Sequence, residues 1–196
     1  MFRMISALMC IAFLSACNGA SDLGDAPVGL GDFNLVHNIA VAPKVDRGPV
    51  ISRAASKTVL TKALTDAVAE RFDRYDGARD YHFGMSIEAY VLAQPGVPLL
   101  FAPKSILIVN LTVWDDAKNK KLNKEPFQIT VFESFDQGPV IGSGYTQTAE
   151  EQLKNLSQNA AKSIENYLVK QNKSQGWFNG TPEPVETAAV AEEIAE

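Results

Sequence analysis

Side chains able to do covalent, acid–base or metal chemistry are few in this sequence of 196 residues. Its only histidines are His37 and His82. Neither has the i, i+4 partner with which a helix would hold zinc, so each reads as an ordinary strand residue. Asp115 and Asp116 could offer carboxylates to a metal, but they open a stretch to Glu125 that contains Asn119 and four lysines. That composition reads as a solvated hairpin turn. Glu133 and Asp136 lie near a strand end with no matching carboxylate in view. Gly142-Ser143-Gly144 carries the glycines of a nucleophile elbow without its strand-to-helix setting. Gly29 and Gly31 are not followed by the Lys-Ser/Thr of a phosphate loop. No catalytic residue, metal site or cofactor is therefore expected, and the chain reads as a non-enzyme.

The two cysteines, Cys10 and Cys17, both fall in the first 17 residues. The rest of the chain has no thiol for a disulfide, a zinc site or a nucleophile. Arg3, then the apolar run Met4 to Phe13, then Ser15 and Ala16 follow the order of a secretory signal: a basic start, a short hydrophobic stretch and small residues at the cut. The run is too short to anchor in a bilayer. Leu14-Ser15-Ala16-Cys17 resembles the lipobox of bacterial lipoproteins. The resemblance implies cleavage before Cys17, followed by attachment of acyl chains such as palmitate to its sulfur and amino group. Several chains make a stable anchor, because each buried methylene contributes about 0.8 kcal/mol. Asn18, in place of Asp, implies by the same resemblance an outer-membrane, periplasm-facing location. The membrane is thus one expected partner, through the lipid on Cys17.

Hydrophobic residues make up 46% of the chain and charged residues 21%, with a net charge of −5. An acidic balance with pI about 5.1 gives no footprint for gripping phosphates, so nucleic acid is not expected as a partner. After the signal peptide, residues 1–16, the stretch 17–32 reads as the lipidated cysteine and a flexible tether, with four glycines and three aspartates from Asn18 to Asp32. Residues 33–178 read as one periplasmic domain, long enough to bury a core. Residues 179–196 read as a disordered acidic tail, with five glutamates and no base after Thr181.

Apolar periodicity predicts a strand over Leu35–Ala42, a turn at Asp46-Arg47-Gly48-Pro49, and a helix within Ser52–Arg74. A strand follows over Tyr81–Leu92, with Tyr81, Phe83, Met85, Ile87, Ala89 and Val91 inward, then a central strand over Ser105–Trp114. Further strands are predicted over Phe127–Phe135 and near Val140–Thr146. Thr148 and Glu151 form the T-x-x-E pattern of a capping box, opening a helix with Leu153, Leu156, Ala160, Ile164, Tyr167 and Leu168 on one stripe. The expected fold is α+β: an antiparallel sheet of four to five strands with two long amphipathic helices on one face, in the order β-α-β-β-β-(β)-α. With the lipobox, this order is similar to small periplasmic lipoproteins of unknown function and, more distantly, to auxiliary lipoproteins of envelope assembly and lipid transport.

Between two strands, Ala93 to Pro103 carries three prolines and the apolar run Leu99-Leu100-Phe101, where a loop is ordinarily polar. It reads as a core cap or as a docking surface. The strand pattern puts Tyr90, Leu92, Ile106, Ile108 and Phe132 beside it on the sheet's outer face, with His82, Ser86, Glu88, Asn110, Thr112 and Gln128 at the far end. Ile108 is expected opposite Phe132. An exposed apolar patch of this kind marks a binding site. Three functions compete: a non-enzymatic adaptor docking on an envelope protein, a carrier of lipid or another apolar ligand, and an envelope hydrolase. The first fits the empty catalytic inventory. Cys17→Ser is expected to leave an uncleaved precursor or a soluble, mislocalised form. Fractionation and gel mobility check this, and normal membrane attachment of the variant would refute it.

Overall fold

The computed structural model describes residues 20–48, 52–94, 105–133 and 148–179. Eight elements follow a short 3-10 turn at Ala20–Gly24: β1 Asn34–Val41, β2 Asp46–Arg47, α1 Lys57–Phe72, β3 Asp80–Val91, β4 Ile106–Asp115, β5 Lys120–Lys121, β6 Phe127–Phe132 and α2 Ala149–Gln175. Both helices pack on one face of the sheet, as the periodicity implies. Leu60, Leu64, Val68 and Phe72 of α1 and Leu153, Leu156, Ile164 and Leu168 of α2 are buried against its inward side chains.

Local chemistry sets the helix ends. The Ser56 hydroxyl accepts from the Val59 amide and caps α1. At α2 the capping box forms in full. The Thr148 hydroxyl accepts from the Glu151 amide at 3.1 Å, and the Thr148 amide donates to the Glu151 carboxylate at 2.7 Å. These hydrogen bonds, from the backbone and then the side chain of Thr148, lower the Glu151 pKa. Gly176, with φ of 66°, closes the other end in the left-handed conformation that glycine adopts without strain.

The sheet is mixed where an antiparallel one was expected. β1 pairs parallel with β3, β3 antiparallel with β4, and β4 antiparallel with β6. The reason is connectivity: α1 returns the chain across the sheet, so the strand after it runs the same way as the strand before it. Asp46 and Arg47, expected in a turn, extend this edge by pairing parallel with Ala89 and Tyr90 of β3. The expected strand near Val140–Thr146 and the tail after Asn179 lie outside the described residues.

Two bulges break the period-2 reading. In β1 the register shifts between Leu35 and His37, and in β3 between Ile87 and Ala89, each strand carrying one extra residue. After the second bulge, Ala89 and Val91 turn outward while Tyr90 and Leu92 turn into the core, at 3% and 0% exposure. The core placement of Tyr90 is satisfied, since its hydroxyl accepts from the Ala55 amide at 3.0 Å.

The segment expected as a free tether is held from Ala20 onward. Leu30 and Phe33 are buried, the Asp32 amide donates to the Phe178 carbonyl, and the Asn172 side chain donates to the Leu30 carbonyl. Phe33 stacks on Tyr81 at 5.2 Å and meets Phe178 edge-on at 5.0 Å. Burial pushes the Tyr81 hydroxyl up to about 12. Gly77 abuts this cluster so closely that a Cβ would collide with the Phe33 backbone. Losing the α2 cap through Thr148→Ala is expected to cost about 1 kcal/mol. That lowers Tm by about 3 °C in a domain of this size, readable in a thermal melt.

Candidate functional site: the open sheet face and the N-terminal latch

Among the described residues both helices pack on the inner face, which leaves the outward side chains of the strands as an open face ordered in rows by the register. At one end Val91 of β3, Ile106 of β4 and Phe132 of β6 are successive cross-strand neighbours, and Ala89, Ile108 and Thr130 form the next row. Ile106 and Ile108 are half-buried, while Phe132 is 53% exposed. On β1, Ile39 is 61% exposed beside Gly84, which supplies no side chain to cover it, and Val41 is exposed beside Ser86. Asn110 and Thr112 occupy the middle of β4. At the far end the ring of His37 stacks on that of His82 at 5.0 Å, and Trp114 pairs across from His82.

Three of the expected patch residues, Ile106, Ile108 and Phe132, do gather on this face. Tyr90 and Leu92 do not, because the β3 bulge turns them into the core and sets Ala89 and Val91 in their place. The register between β4 and β6 is also two residues off the expected one, with Phe132 opposite Ile106 and Ile108 opposite Thr130. An even shift keeps every side chain on its face. Leu99, Leu100, Phe101 and Cys17 lie outside the described residues. Ile39 and Val41 were missed, although the alternation His37, Ile39, Val41 within β1 carries their signal.

The polar candidates also settle into definite roles. His82 meets the Asp116 carboxylate at 3.1 Å on the exposed far end. Asp115 is not in a solvated turn: it is buried, paired with Arg79 at 3.0 Å and with Lys118 at 3.3 Å. Glu133 is buried at the end of β6, and among the described residues its carboxylate oxygens have no hydrogen-bond partner. Gly142-Ser143-Gly144 and Asp136 lie outside the described residues. Among the described residues, no three His, Cys, Asp or Glu side chains converge as metal ligands. Among them too, no helix is long and apolar enough to cross a membrane.

A second constellation lies on the helical layer. Arg71 of α1 and Glu165 of α2, each 1% exposed, pair at 2.9 Å between the helices. Glu165 also accepts from the Tyr75 hydroxyl at 2.9 Å and from Lys162 at 2.7 Å. Arg71 and Lys162 in turn grip the Asp22 carboxylate of the N-terminal turn, at 2.8 and 2.5 Å. Arg74 donates to the Leu23 and Asp25 carbonyls. Burial alone would raise the Asp22 pKa, but the hydrogen bonds and charges of Arg71 and Lys162 overcome it and bring it from 3.8 to about 2. For Lys162, burial works against the charge, and its bonds to Asp22 and Glu165 outweigh burial and raise its pKa. Burial and then Glu165 push the Tyr75 hydroxyl well above its ordinary value.

No family model matches this chain, and no curated protein does. Among solved structures it is similar to a DUF330-family protein from Xanthomonas campestris, at 15% identity, covering 72% of this chain and 88% of that one, with a TM-score of 0.43. It is also similar to a putative lipoprotein from Caulobacter crescentus, at 17% identity over 74% and 93% of the two chains, with a TM-score of 0.36. A minor lipoprotein from Acinetobacter baumannii shows 12% identity over 65% and 93%, with a TM-score of 0.28. Function is therefore read from this chain's own residues.

Replacing Arg71 by Met leaves Glu165 buried without the guanidinium that pairs with it between the helices. The expected loss is about 3 kcal/mol, at the low end for a broken buried pair because Lys162 and Tyr75 remain. Asp22→Asn is expected to cost less, and its cost should depend on pH. A carboxylate with a depressed folded pKa stabilises above its unfolded value and loses that contribution as pH falls from about 4 towards about 2. Urea unfolding of both chains across that range should show their stabilities converging in acid.

Proposed function

We propose that this protein is a non-enzymatic envelope lipoprotein, anchored in the outer membrane through Cys17, that acts as an adaptor or assembly factor by docking the open face of its sheet on another envelope protein. The observation that carries this reading is the apolar row Val91, Ile106 and Phe132, continued by Ile108 and flanked on the edge strand by Ile39 and Val41. Soluble domains rarely leave neighbouring apolar side chains of this size in water without a use for them. The occupant this chemistry fits is a protein surface with its own apolar centre and a polar rim. Asn110, Thr112 and Gln128 would meet that rim.

A carrier function has one observation in its favour. The cleft between α1 and α2, about 630 Å³, has Ala63, Ala67 and Leu153 along it and Val59 at its mouth. That volume is in the range of small-molecule sites. Its rim of Lys62, Asp66, Glu70, Glu150 and Lys154 is charged and the cleft is open, which suits the surface of a bilayer better than full enclosure of an apolar ligand.

Ile39→Ser with Phe132→Ser separates the two readings. Both side chains are more exposed than buried, so the fold should change by no more than about 0.5 kcal/mol per site. Crosslinking in intact cells followed by affinity capture should lose a defined envelope protein in this variant and retain it in Val59→Ser. Capture unchanged by the double substitution would overturn the docking role of the open face.

A further inference from the structure

We propose that the α1–α2 face of the domain lies against the lipid bilayer, held there by the Asp22 latch. The inference rests on the reading of Cys17 as the lipid-bearing residue and adds to it the orientation of the domain. The partner is the membrane surface in which that anchor sits.

The first argument is length. Ala20 is fixed to the helical layer, its carbonyl accepting from Arg71 at 3.3 Å, and Asp22 is gripped by Arg71 and Lys162. Three chain steps separate Cys17 from Ala20. At about 3.8 Å per step they span at most about 11 Å, whatever their conformation. A residue whose acyl chains are buried in the bilayer therefore brings the latch to the headgroups. Were these contacts and the Arg74 bonds to the Leu23 and Asp25 carbonyls all absent, the first fixed point would be Leu30, and the leash would grow to thirteen steps, or about 45 Å when extended.

The second argument is place. Among the described residues, the Asp22 carboxylate bonds side chains of the two helices, Arg71 and Lys162, and these helices cover the inner face of the sheet, so the latch lies on the side of the molecule away from the open face. Followed backwards from Asp25 to Ala20, the chain passes from Arg74 to Arg71, towards the cleft between the helices. Ala67 and Glu70 of that cleft stand within one turn of Arg71. The cleft begins beside Arg71, at Ala67 and Glu70, and runs along α1 towards Val59; it is open, with a rim of mixed charge in which Lys62 pairs with Asp66 at 2.7 Å, and on a bilayer Val59 and Leu153 would meet the first methylenes.

The mature chain has no thiol besides Cys17, so a single engineered cysteine can carry a probe in the lipidated protein. Lys154→Cys places it on the cleft rim and Thr130→Cys on the open face. Each is labelled with a small fluorophore and reconstituted in vesicles of phosphatidylethanolamine and phosphatidylglycerol with a nitroxide on a fraction of the headgroups. Quenching of the Lys154→Cys probe is expected to exceed that of the Thr130→Cys probe at least threefold. Adding Asp22→Ala together with Arg74→Ala, which removes both grips on the N-terminal turn and leaves the Arg71–Glu165 pair in place, should bring the two towards equality. Equal quenching in the latched, vesicle-bound protein would overturn the orientation, and a difference that survives Asp22→Ala with Arg74→Ala would overturn the latch as its cause. Protein that fails to bind vesicles at all, with Cys17 intact and processed, would instead overturn the anchoring reading on which both rest.

Discussion

The Arg71–Glu165 pair is the constraint on which the arrangement of this molecule turns. A guanidinium and a carboxylate removed from water between two helices are costly to desolvate, and removing either partner alone leaves an uncompensated charge. The cost is tolerated only because the lone pairs and N–H groups are nearly all answered: Glu165 by Arg71, Tyr75 and Lys162, Arg71 by Glu165, Asp22 and the Ala20 carbonyl. Sliding α1 against α2 by one turn would break several of these at once. The pair thus fixes the register of the helical layer, and through it the side chains that layer offers to the sheet. Its last partner, Asp22, belongs to the segment before β1, so the N-terminal turn is part of the domain and not a leader to it.

The sheet is closed at the same end by a different chemistry. Phe33, Phe72, Tyr75, Tyr81, Phe83 and Phe178 come from four separate stretches of chain and meet as one aromatic cluster. Edge-on and offset contacts of this kind add to the area they bury. They join the entry to β1, the end of α1, the start of β3 and the turn after α2. Ionic contacts at the helices and aromatic contacts beside the sheet therefore hold the N-terminal segment at two points, Asp22 and Phe33. Between them, residues 24–29 run exposed over the surface.

Features that depend on neighbours in sequence were legible in the chain: the capping box at Thr148 and Glu151, the helical stripes, the inward set Tyr81 to Ile87, and the gathering of Ile106, Ile108 and Phe132 on one face. The order strand, helix, strand also carried the parallel pairing of β1 and β3, because a crossover helix brings the chain back in the same direction; alternation alone suggested an antiparallel sheet. What could not be read is what depends on single inserted residues or on distant charges. One extra residue in β3 exchanged Tyr90 and Leu92 for Ala89 and Val91, and a period of two contains no mark of such an insertion. Asp22 and Asp115 look like solvated turn residues until Arg71, Lys162 and Arg79, 36 to 140 positions away, are brought to them. Glycine and aspartate in a short segment signal flexibility only where no cation waits for the carboxylate.

On the proposed reading, anchor and open face also depend on each other energetically. Covering half-exposed side chains such as Ile39, Ile106, Ile108 and Phe132 contributes on the order of 1 kcal/mol each. Bringing two proteins together from solution costs about 4–15 kcal/mol in lost freedom before side chains are ordered. A patch of this size is thus too small to hold a partner from bulk solution. Two molecules confined to one membrane surface meet at a far higher effective concentration, so part of that cost is already met. On the proposed reading, an adaptor with a modest apolar face and a short leash would bind at the membrane under those conditions and lose its partner once cut from its lipid, because the face is too weak to associate away from the surface.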